Sequence, residues 1–264
     1  MDAKKETEKV IQWIRDWFDQ NGKEAGAVIG LSGGKDSTVV AALLVKALGK
    51  DRVFGVLMPN GIQTDIDDAK EVVRILGIKS YVVNIGNAFN ALQDSIKNAT
   101  DPLTGQPADL NGSELASDVS INMPPRLRMT TLYAIAQNLP KGGRVVNTCN
   151  YSEDYIGYST KYGDAAGDFS PLSTFTVAEV LQIGEELGLP EHLVHKTPSD
   201  GLSGKSDEDK IGFTYAVLDK YLRTGICEDQ ATLEKIERMH RANLHKLKTI
   251  PHYTMSEHNA CENE

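Results

Sequence analysis

The short stretch SGGKDS, residues 32–37, combines residue types that bind phosphate groups. Two glycines allow the backbone to approach an anion closely, and the first amides of a helix starting near Asp36 would point at that anion with the positive end of the helix dipole behind them. Ser32 and Ser37 supply hydroxyl donors, and Lys35 supplies a positive charge. The stretch therefore predicts a phosphate-binding loop at the start of a helix.

Two familiar nucleotide-binding loops do not match this stretch. A Walker A loop requires Ser or Thr directly after its lysine, because that hydroxyl binds magnesium, whereas Asp36 follows Lys35 here. A dinucleotide-binding fingerprint requires GxGxxG, and Gly30, Gly33 and Gly34 do not have that spacing. A simple helix N-cap would explain Asp36 but not two glycines and a lysine together. A carboxylate beside a phosphate is repulsive unless a cation lies between them, so Asp36 predicts Mg²⁺.

The elements around this loop follow an alternating order. Apolar runs typical of strands alternate with helical periodicity, giving strand 25–31, helix 36–49, strand 52–58, helix 64–77 and strand 80–85. Parallel strands joined through helices form a sheet with helices on its faces. We therefore predict an α/β fold with a doubly wound parallel sheet, in which the loop follows the first strand.

The remaining sequence is mostly helical and shows no linker or internal repeat. We expect an amphipathic helix over 3–20, a polar surface segment after Asn98, a helix over 124–137 with its prolines in the first turn, a strand over 144–149, ligand-binding loops over 150–175, and helices over 177–187, 211–222 and 231–247. These segments predict a single domain over residues 1–264, with a frayed polar tail at about 254–264.

The composition limits the classes of function. The 264 residues carry a formal net charge of −9, which argues against nucleic-acid binding because such proteins usually have a basic surface. No stretch reaches the roughly 20 apolar residues of a membrane span. The charged start MDAKKETEKV differs from a secretory signal, so we expect a cytoplasmic protein without a membrane partner. Three scattered cysteines without a CxxC pair argue against disulfides or structural zinc.

Several motifs, in order along the chain, resemble those of one enzyme family. SGGKDS resembles the SGGxDS pyrophosphate loop of the N-type ATP pyrophosphatases, which have an adenine-nucleotide α-hydrolase-like domain. The ammonia-dependent NAD synthetases of that superfamily have motifs similar to NMPPRLRMTTLY (122–133), NTCNYSEDYIGYSTKYGDAAGDFSPL (147–172) and SDEDKIGFTYAVLDKYL (206–222). His245 and Lys246 stand where that family has a C-terminal His-Lys. The resemblance covers residues 8 to 250.

The resemblance implies an enzyme that uses ATP and ammonia to amidate deamido-NAD (nicotinic acid adenine dinucleotide) to NAD. The substrate carboxylate would attack the α-phosphate of ATP, pyrophosphate would leave, and ammonia would displace AMP from the acyl-adenylate. The resemblance also implies Mg²⁺ as cofactor and a homodimer with a shared deamido-NAD site. No glutaminase domain is appended to the sequence, so we expect ammonia itself as nitrogen donor, with a separate glutaminase as one possible source.

The same resemblance implies roles for individual residues. Asp36 and Glu153 would bind magnesium, and the catalytic residues would be Lys35, Asp36 and Asp164. Asp164 would orient ammonia or take a proton from ammonium, with a turn-forming role as the alternative. The ATP-binding residues would be Gly30, Leu31, Ser32, Gly33, Gly34, Lys35, Asp36, Ser37, Thr148 and Ser199. The deamido-NAD-binding residues would be Asn122, Arg126, Lys161, Asp168, His245 and Lys246.

The sequence departs from the family pattern at two positions. Asn147 replaces the glycine of a G-T pair, and Val177 stands where a lysine that contacts ATP is usual. We expect Lys205, in a glycine-flanked loop, to supply the missing positive charge. We expect Arg128, which follows Arg126 by two residues, to point elsewhere on its helix and to serve structure.

Other functions on the same class of fold remain open from the sequence. A GMP synthetase-like core would act on xanthosine monophosphate in place of deamido-NAD. A tRNA thiolase would need a persulfide-carrying cysteine and a basic RNA-binding surface, and this acidic chain has only scattered cysteines. A non-catalytic nucleotide sensor would have no need for both predicted metal-binding carboxylates, Asp36 and Glu153.

Overall fold

Four parallel strands form the central sheet of the computed structural model, which describes residues 1–62, 66–108, 115–196 and 206–253. The strands are β1 (Gly26–Gly30), β2 (Val53–Leu57), β3 (Lys79–Val82) and β4 (Gly143–Val145), in the order β3-β2-β1-β4. β1 is central, because its Ala27 pairs with Val53 of β2 on one side and with Arg144 of β4 on the other. The predicted parallel α/β sheet is confirmed.

Helices connect and cover these strands. Within the described residues they are α1 (Ala3–Asn21), α2 (Lys35–Leu48), α3 (Ile66–Leu76), α4 (Gly86–Lys97), α5 (Ser117–Asn138), α6 (Tyr151–Ile156), α7 (Val177–Glu186), α8 (Glu191–Val194), α9 (Asp207–Ile211), α10 (Tyr215–Thr224) and α11 (Gln230–Leu247). A short 3-10 helix, Lys50–Arg52, precedes β2. None of these helices has the length and apolar character needed to span a bilayer, as judged over the described part of the chain.

The sheet is covered on both faces because successive strand residues point to opposite sides. Ala27 and Ile29 of β1 belong to a large buried cluster on one face, whereas Val28 belongs to a second cluster on the other face. The first cluster includes residues of α1, α2 and α7, namely Ile14, Phe18, Leu43 and Ile183, and the second includes Ala136 of α5. Burial of this alternating pattern fixes β1, and with it the loop that follows.

A third apolar cluster lies among the helices of the C-terminal half. It consists of Ile156, Val177, Ile211, Phe213, Tyr215, Leu218 and Ile236. These residues come from α6, α7, α10 and α11, together with the end of α9 and the residues that follow it. This cluster holds the short helix α6 against the longer helices around it.

Several predicted boundaries were wrong, and each has a local cause. Helix α5 starts at Ser117, so Pro124 and Pro125 lie inside the helix rather than in its first turn; burial of Met123 and Pro124 anchors the extended segment. The predicted helix 211–222 is divided because Gly212, with φ 76°, ends α9 in the left-handed region that favours glycine. Helices α4, α6 and α8 were not predicted. The tail at 254–264 lies outside the described residues.

Candidate active site

A cleft of about 730 Å³ opens at the carboxyl ends of β1 and β4, where α/β sheets commonly bind ligands. The loop after β1 forms part of its wall, and residues of α5, the loop after β4, α6 and α9 complete it. Among the described residues, those that line it include Gly30, Leu31, Ser32, Gly34, Lys35, Asp36, Ser37, Arg128, Thr148, Glu153, Asp164, Lys196 and Asp207. The cleft therefore brings together groups from distant parts of the sequence.

The loop Ser32–Ser37 is shaped by its glycines and its own hydrogen bonds. Gly33 has φ 79°, and a Cβ there would lie 2.8 Å from Asp68 Cβ, so both backbone conformation and space require glycine. The Gly34 amide donates to Ser32 Oγ at 3.1 Å, and Ser32 Oγ is also 3.1 Å from Ser37 Oγ. Helix α2 begins at Lys35, directly after this turn. The predicted loop at a helix start is confirmed.

Lys35 lies between two carboxylates beside the loop. Its Nζ is 2.8 Å from Asp36 Oδ2 and 4.0 Å from Glu153 Oε1, and the side chain is 4% exposed. Burial disfavours the charge of Lys35, but the attraction of Asp36 and Glu153 outweighs it and raises the lysine pKa above its usual value. Burial, followed by repulsion from Asp36, raises the pKa of Glu153. The cluster thus contains more acidic groups than cations.

Asn150 connects the two acidic residues. Its Nδ2 donates to Asp36 Oδ1 at 3.0 Å, and its Oδ1 accepts the Glu153 amide at 3.0 Å as the N-cap of α6. The Asn150 amide in turn donates to Glu153 Oε2 at 3.5 Å, which completes a capping box. Because Asn150 is fully buried, these contacts set the position of α6 relative to α2.

Asp164 and Asn147 order the loops beyond β4. Asp164 lines the main cleft, and its Oδ1 accepts the Thr160 amide at 2.7 Å, so it also has the turn-forming role considered from sequence. Burial raises the pKa of Asp164. Asn147 Nδ2 donates to the Asp164 carbonyl at 2.8 Å, while its Oδ1 accepts from Cys149 N and Ser170 Oγ at 2.9 Å each. An asparagine in place of glycine thus connects three loop segments.

Three of the residues predicted for deamido-NAD are hydrogen-bonded in series, and a fourth, Asn122, contacts the neighbouring Thr160. Arg126 Nε donates to the Lys161 carbonyl at 3.3 Å, and Lys161 Nζ donates to the His245 carbonyl at 2.7 Å. Asn122 Oδ1 accepts from Thr160 Oγ1 at 2.9 Å, directly before Lys161. The structure therefore brings α5, the loop after α6 and the end of α11 together, close to Asp164 but outside the lining of the main cleft.

The other two residues predicted for deamido-NAD, Asp168 and Lys246, line a smaller cleft of about 230 Å³. Asp168 accepts from Tyr133 Oη at 3.1 Å and from the Val145 amide at 2.7 Å. Lys246 Nζ donates to the carbonyls of Gly157 and Ser159 at 2.7 and 2.9 Å, and burial lowers its pKa. Asp168 and Lys246 thus form three hydrogen bonds to backbone groups of the protein, one accepted by Asp168 and two donated by Lys246. These bonds stabilise the protein itself.

The ATP-side predictions fall into three groups. Eight of the ten predicted residues line the main cleft, and these are Gly30, Leu31, Ser32, Gly34, Lys35, Asp36, Ser37 and Thr148. Gly33 belongs to the loop but packs against Asp68 and Ala69. Ser199, like Lys205, lies outside the described residues. Val177 is buried in the third apolar cluster, with 8% of its surface exposed, so its position does not supply a cleft-facing group.

Sequence reasoning missed several residues at the site. Arg128 contacts a different part of the chain from Arg126, as expected, because its Nε donates to the Met58 carbonyl at 3.1 Å; its place in the lining of the main cleft was not predicted. Asn150 was part of a recognised motif, and only the tertiary contact with Asp36 reveals its position. Lys196 and Asp207 also line the cleft. No spacing rule links either residue to the loop after β1.

Comparisons with known proteins agree with the motifs. The model of the NAD synthase family matches residues 6–261. The chain is 41% identical to the NH3-dependent NAD+ synthetase of Carboxydothermus hydrogenoformans, over 94% of this chain and 96% of that protein. It is 38% identical to the enzyme of the same name from Alkaliphilus metalliredigens, over 93% and 96% of the two chains.

Solved structures give the same result for the fold. An NMN synthetase from Francisella tularensis matches with a TM-score of 0.83 and 34% identity, covering 97% of this chain and 100% of that one. An NH3-dependent NAD synthetase from Campylobacter jejuni matches with a TM-score of 0.73 and 28% identity, covering 96% and 100%. Together with the phosphate loop and the clustered carboxylates, these matches establish that the chain belongs to the NAD synthase family of ammonia-dependent ligases.

Proposed function

We propose that this chain uses ATP to join ammonia to the nicotinate carboxylate of deamido-NAD, releasing NAD, AMP and pyrophosphate. The amidation is the reaction of the family to which the chain belongs. The observation that carries the proposal is one cleft in which the SGGKDS loop, Glu153 and Asp164 converge. The phosphate loop would bind the phosphates of ATP, and the residues around Lys161 would bind an anionic acceptor next to it.

Adenylation makes the carboxylate reactive, because an oxide ion is too poor a leaving group for direct amidation. A carboxylate oxygen forms a bond to the α-phosphorus of ATP, and the bridging oxygen leaves with the electron pair on pyrophosphate. Ammonia then attacks the acyl carbon, AMP leaves, and one proton is lost to give the amide. No protein nucleophile is needed, so catalysis depends on positioning the reactants and neutralising their charge.

The ATP phosphates are assigned to the loop between β1 and α2. The amides at the start of α2 and the hydroxyl groups of Ser32 and Ser37 are donors that suit phosphate oxygens. Lys35 lines the same wall and keeps its charge because Asp36 and Glu153 face it. We assign to Lys35 the stabilisation of negative charge in the adenylation step.

We assign Mg²⁺ to Asp36 and Glu153. The donor set fits this ion, since Mg²⁺ usually binds through one or two carboxylates and completes its shell with phosphate oxygens and water. Within the described ranges, no group of three or more His, Cys, Asp or Glu side chains is arranged to hold a metal. When bound, Mg²⁺ would withdraw electrons from the phosphates and reduce the repulsion between ATP and Asp36.

The acceptor is assigned to residues on α5, the loop after α6 and α11. Arg126 and Lys161 have side chains suited to the diphosphate and the carboxylate of deamido-NAD. Asn122, Asp168, His245 and Lys246 complete the proposed set. Asp164 lines the main cleft, and the raised pKa of its carboxyl group suits a residue that accepts a proton from ammonium.

The assembly and nitrogen source are also proposals. We infer a homodimer that shares the deamido-NAD site, because the family resemblance implies one and because only Asp168 and Lys246 of the six acceptor residues line a cleft, the smaller one. One family model that spans residues 6–261 supports our prediction of a single domain. Free ammonia is the direct nitrogen donor in this proposal, and a separate glutaminase is one source of it.

A second candidate substrate is nicotinic acid mononucleotide. One solved relative with a TM-score of 0.83 is named as an NMN synthetase, and NMN is the amide of that mononucleotide. The chemistry at the carboxylate is the same for both acceptors. They differ in the AMP half, which only the dinucleotide carries.

A direct competition of acceptors tests the proposal. The enzyme is given ATP, Mg²⁺ and ammonium with deamido-NAD, nicotinic acid mononucleotide or xanthosine monophosphate, and the amide product and AMP are measured. We expect kcat/KM for deamido-NAD to exceed that for the mononucleotide by about tenfold or more, because even one hydrogen bond from a charged side chain to the AMP half is worth roughly 1.5 to 3 kcal/mol. A preference for the mononucleotide would favour the second candidate, and turnover of xanthosine monophosphate alone would contradict both.

A further inference from the structure

We propose that Lys196 binds the β- and γ-phosphates of ATP and the pyrophosphate that leaves from them. This inference rests on the proposed function and adds a residue to its phosphate site. Lys196 follows the short helix α8 and lines the main cleft together with Ser32, Gly34 and Ser37. It is far from SGGKDS in the sequence, and its side chain is 26% exposed.

A chain of short contacts connects Lys196 to the phosphate loop. Lys196 Nζ is 2.5 Å from Asp68 Oδ2, in the first turn of α3. Asp68 in turn lies directly behind the loop, because a Cβ added to Gly33 would be 2.8 Å from Asp68 Cβ. The ammonium group is thus held next to the turn that we assign to the phosphates.

Lys196 reaches the cleft from a part of the chain that carries none of its other described cations. Of the described residues that line it, Lys35, Arg128 and Lys196 are the cations. Lys35 Nζ is 2.8 Å from Asp36 and 4.0 Å from Glu153, so its charge is balanced by carboxylates. Arg128 Nε is bound to the Met58 carbonyl. The side chains of Lys196 and Asp68 are 26% and 35% exposed, so a phosphate in the cleft can approach the ammonium group.

Lys196 also supplies a positive charge to a site that lacks the lysine usual in the family at position 177. Val177, where the family has a lysine, is buried among apolar side chains and cannot be the source of a phosphate contact. When the α-phosphorus accepts the carboxylate oxygen, the bridging oxygen departs with its electrons and negative charge collects on pyrophosphate. An ammonium group beside Gly33 would neutralise that charge without taking part in a bond. In this arrangement Asp68 is a positioning residue.

The test measures binding of Mg·ATP and of Mg·pyrophosphate by calorimetry, without any acceptor, so that failure of the proposed amidation would not obscure the result. We expect Lys196→Ala to weaken both ligands by about 10- to 150-fold, the value of a charged hydrogen bond, while KM for deamido-NAD changes less than about twofold. Lys196→Arg should restore part of the loss.

Lys70→Ala is the matched control. Lys70 forms an ion pair with Asp67 in the first turn of the same helix, at 2.9 Å, but faces solvent. The control should bind both ligands as the parent does. Unchanged binding of ATP and pyrophosphate to Lys196→Ala would overturn the proposal, and so would an equal loss for deamido-NAD.

Asp68→Ala separates phosphate binding from a merely structural ion pair. A positioned lysine predicts that Asp68→Ala weakens ATP binding by about threefold to tenfold and that most of this loss disappears when Lys196 is already alanine. A structural pair predicts a common loss of thermal stability in both variants with no change in ligand affinity. That second pattern would overturn the proposal.

Discussion

Asp36 is the residue in which the loop, the lysine and α6 meet. Its two carboxylate oxygens bind Lys35 Nζ and Asn150 Nδ2, so both its charge and its orientation are defined by neighbours. An ordinary N-terminal helix residue would not need two buried partners from different elements. The geometry therefore agrees with a carboxylate held ready for a cation shared with ATP.

We expect Asp36→Asn to lower kcat for AMP formation by about 100-fold or more, which corresponds to roughly 2.7 kcal/mol in the barrier. The amide keeps the shape of the carboxylate but removes the charge that we assign to Mg²⁺. Steady-state kinetics and circular dichroism would measure activity and folding together. Asp51→Asn, at an exposed site far from the loop, is the control. Activity within about tenfold of the parent would exclude the metal role.

The sequence predicts that Arg126 binds deamido-NAD, but it does not predict the hydrogen bond from Arg126 to the Lys161 carbonyl. Loss of this guanidinium should raise KM for deamido-NAD by about 10- to 150-fold and leave KM for ATP nearly unchanged, because a charged hydrogen bond is worth roughly 1.5 to 3 kcal/mol. Arg126→Ala kinetics with each substrate varied in turn would measure this. Arg15→Ala removes an arginine that also binds backbone carbonyls, outside both clefts. A similar rise for both substrates would contradict the assignment.

At the scale of elements, α11 fixes the end of α6. His240 Nδ1 donates to the Tyr155 carbonyl at 2.7 Å, and Asn243 Nδ2 donates to the Ile156 carbonyl at 3.1 Å. These carbonyls lie at the C-terminal end of α6, where the helix leaves them without internal partners. Since Glu153 occupies the first turns of the same six-residue helix, α11 helps to set the position of a predicted metal ligand.

Gly157, the C-cap of α6, allows this close contact. Its φ is 64°, and a Cβ there would lie 2.1 Å from Asn243 Cβ. We expect Gly157→Ala to lower the free energy of unfolding by roughly 2 to 5 kcal/mol, from about 1 to 2 for the left-handed backbone and about 1 to 3 for overpacking. Chemical denaturation would measure the change.

Gly225→Ala separates the two contributions. Gly225 caps α10 with φ 73°, but nothing lies within 4 Å of its added Cβ. This variant should lose only the backbone contribution of about 1 to 2 kcal/mol. Equal losses for the two glycine variants would show that α11 does not press on α6 at Gly157.

The sequence predicts helices and strands well where apolar residues recur with one clear period. The strands β1 and β2 and the helices α1, α2, α7 and α11 follow clear apolar periodicity, and their predicted limits agree with the structure within one or two residues, whereas β3 and β4 end earlier than predicted. Helix α6 has only six residues and is stabilised by the Asn150 cap and by contacts with α11. Such a helix leaves no periodic signal, because tertiary contacts rather than its own pattern stabilise it.

The residues of the site also divide into those that the sequence predicts and those that only the structure reveals. The SGGKDS loop is predictable because its chemistry lies in consecutive residues. Asn150, Arg128 and Lys196 reach the cleft from separate elements, so their convergence depends on packing that no local spacing encodes. Asn147 departs from the family motif, and only its three hydrogen bonds explain how the loops beyond β4 accommodate it.

For the whole molecule, binding of the proposed cation should be separable from folding. The three apolar clusters are built from side chains outside Asp36 and Glu153, so removal of divalent cations should leave the fold intact. We expect excess chelator to lower AMP formation by about 100-fold or more, with recovery on adding Mg²⁺. Circular dichroism before and after chelation checks the fold. Loss of secondary structure on chelation, or full activity in its presence, would contradict this expectation.

The most direct test of the account follows the oxygen atoms of the acceptor carboxylate. Deamido-NAD labelled with ¹⁸O in that carboxylate is converted with ATP, Mg²⁺ and ammonium, and the phosphorus-containing products are analysed by mass spectrometry. Adenylation in the cleft predicts one labelled oxygen in AMP and none in pyrophosphate, because the carboxylate oxygen bonded to the α-phosphorus leaves with AMP. Unlabelled AMP, or label in inorganic phosphate formed together with ADP, would contradict the central claim.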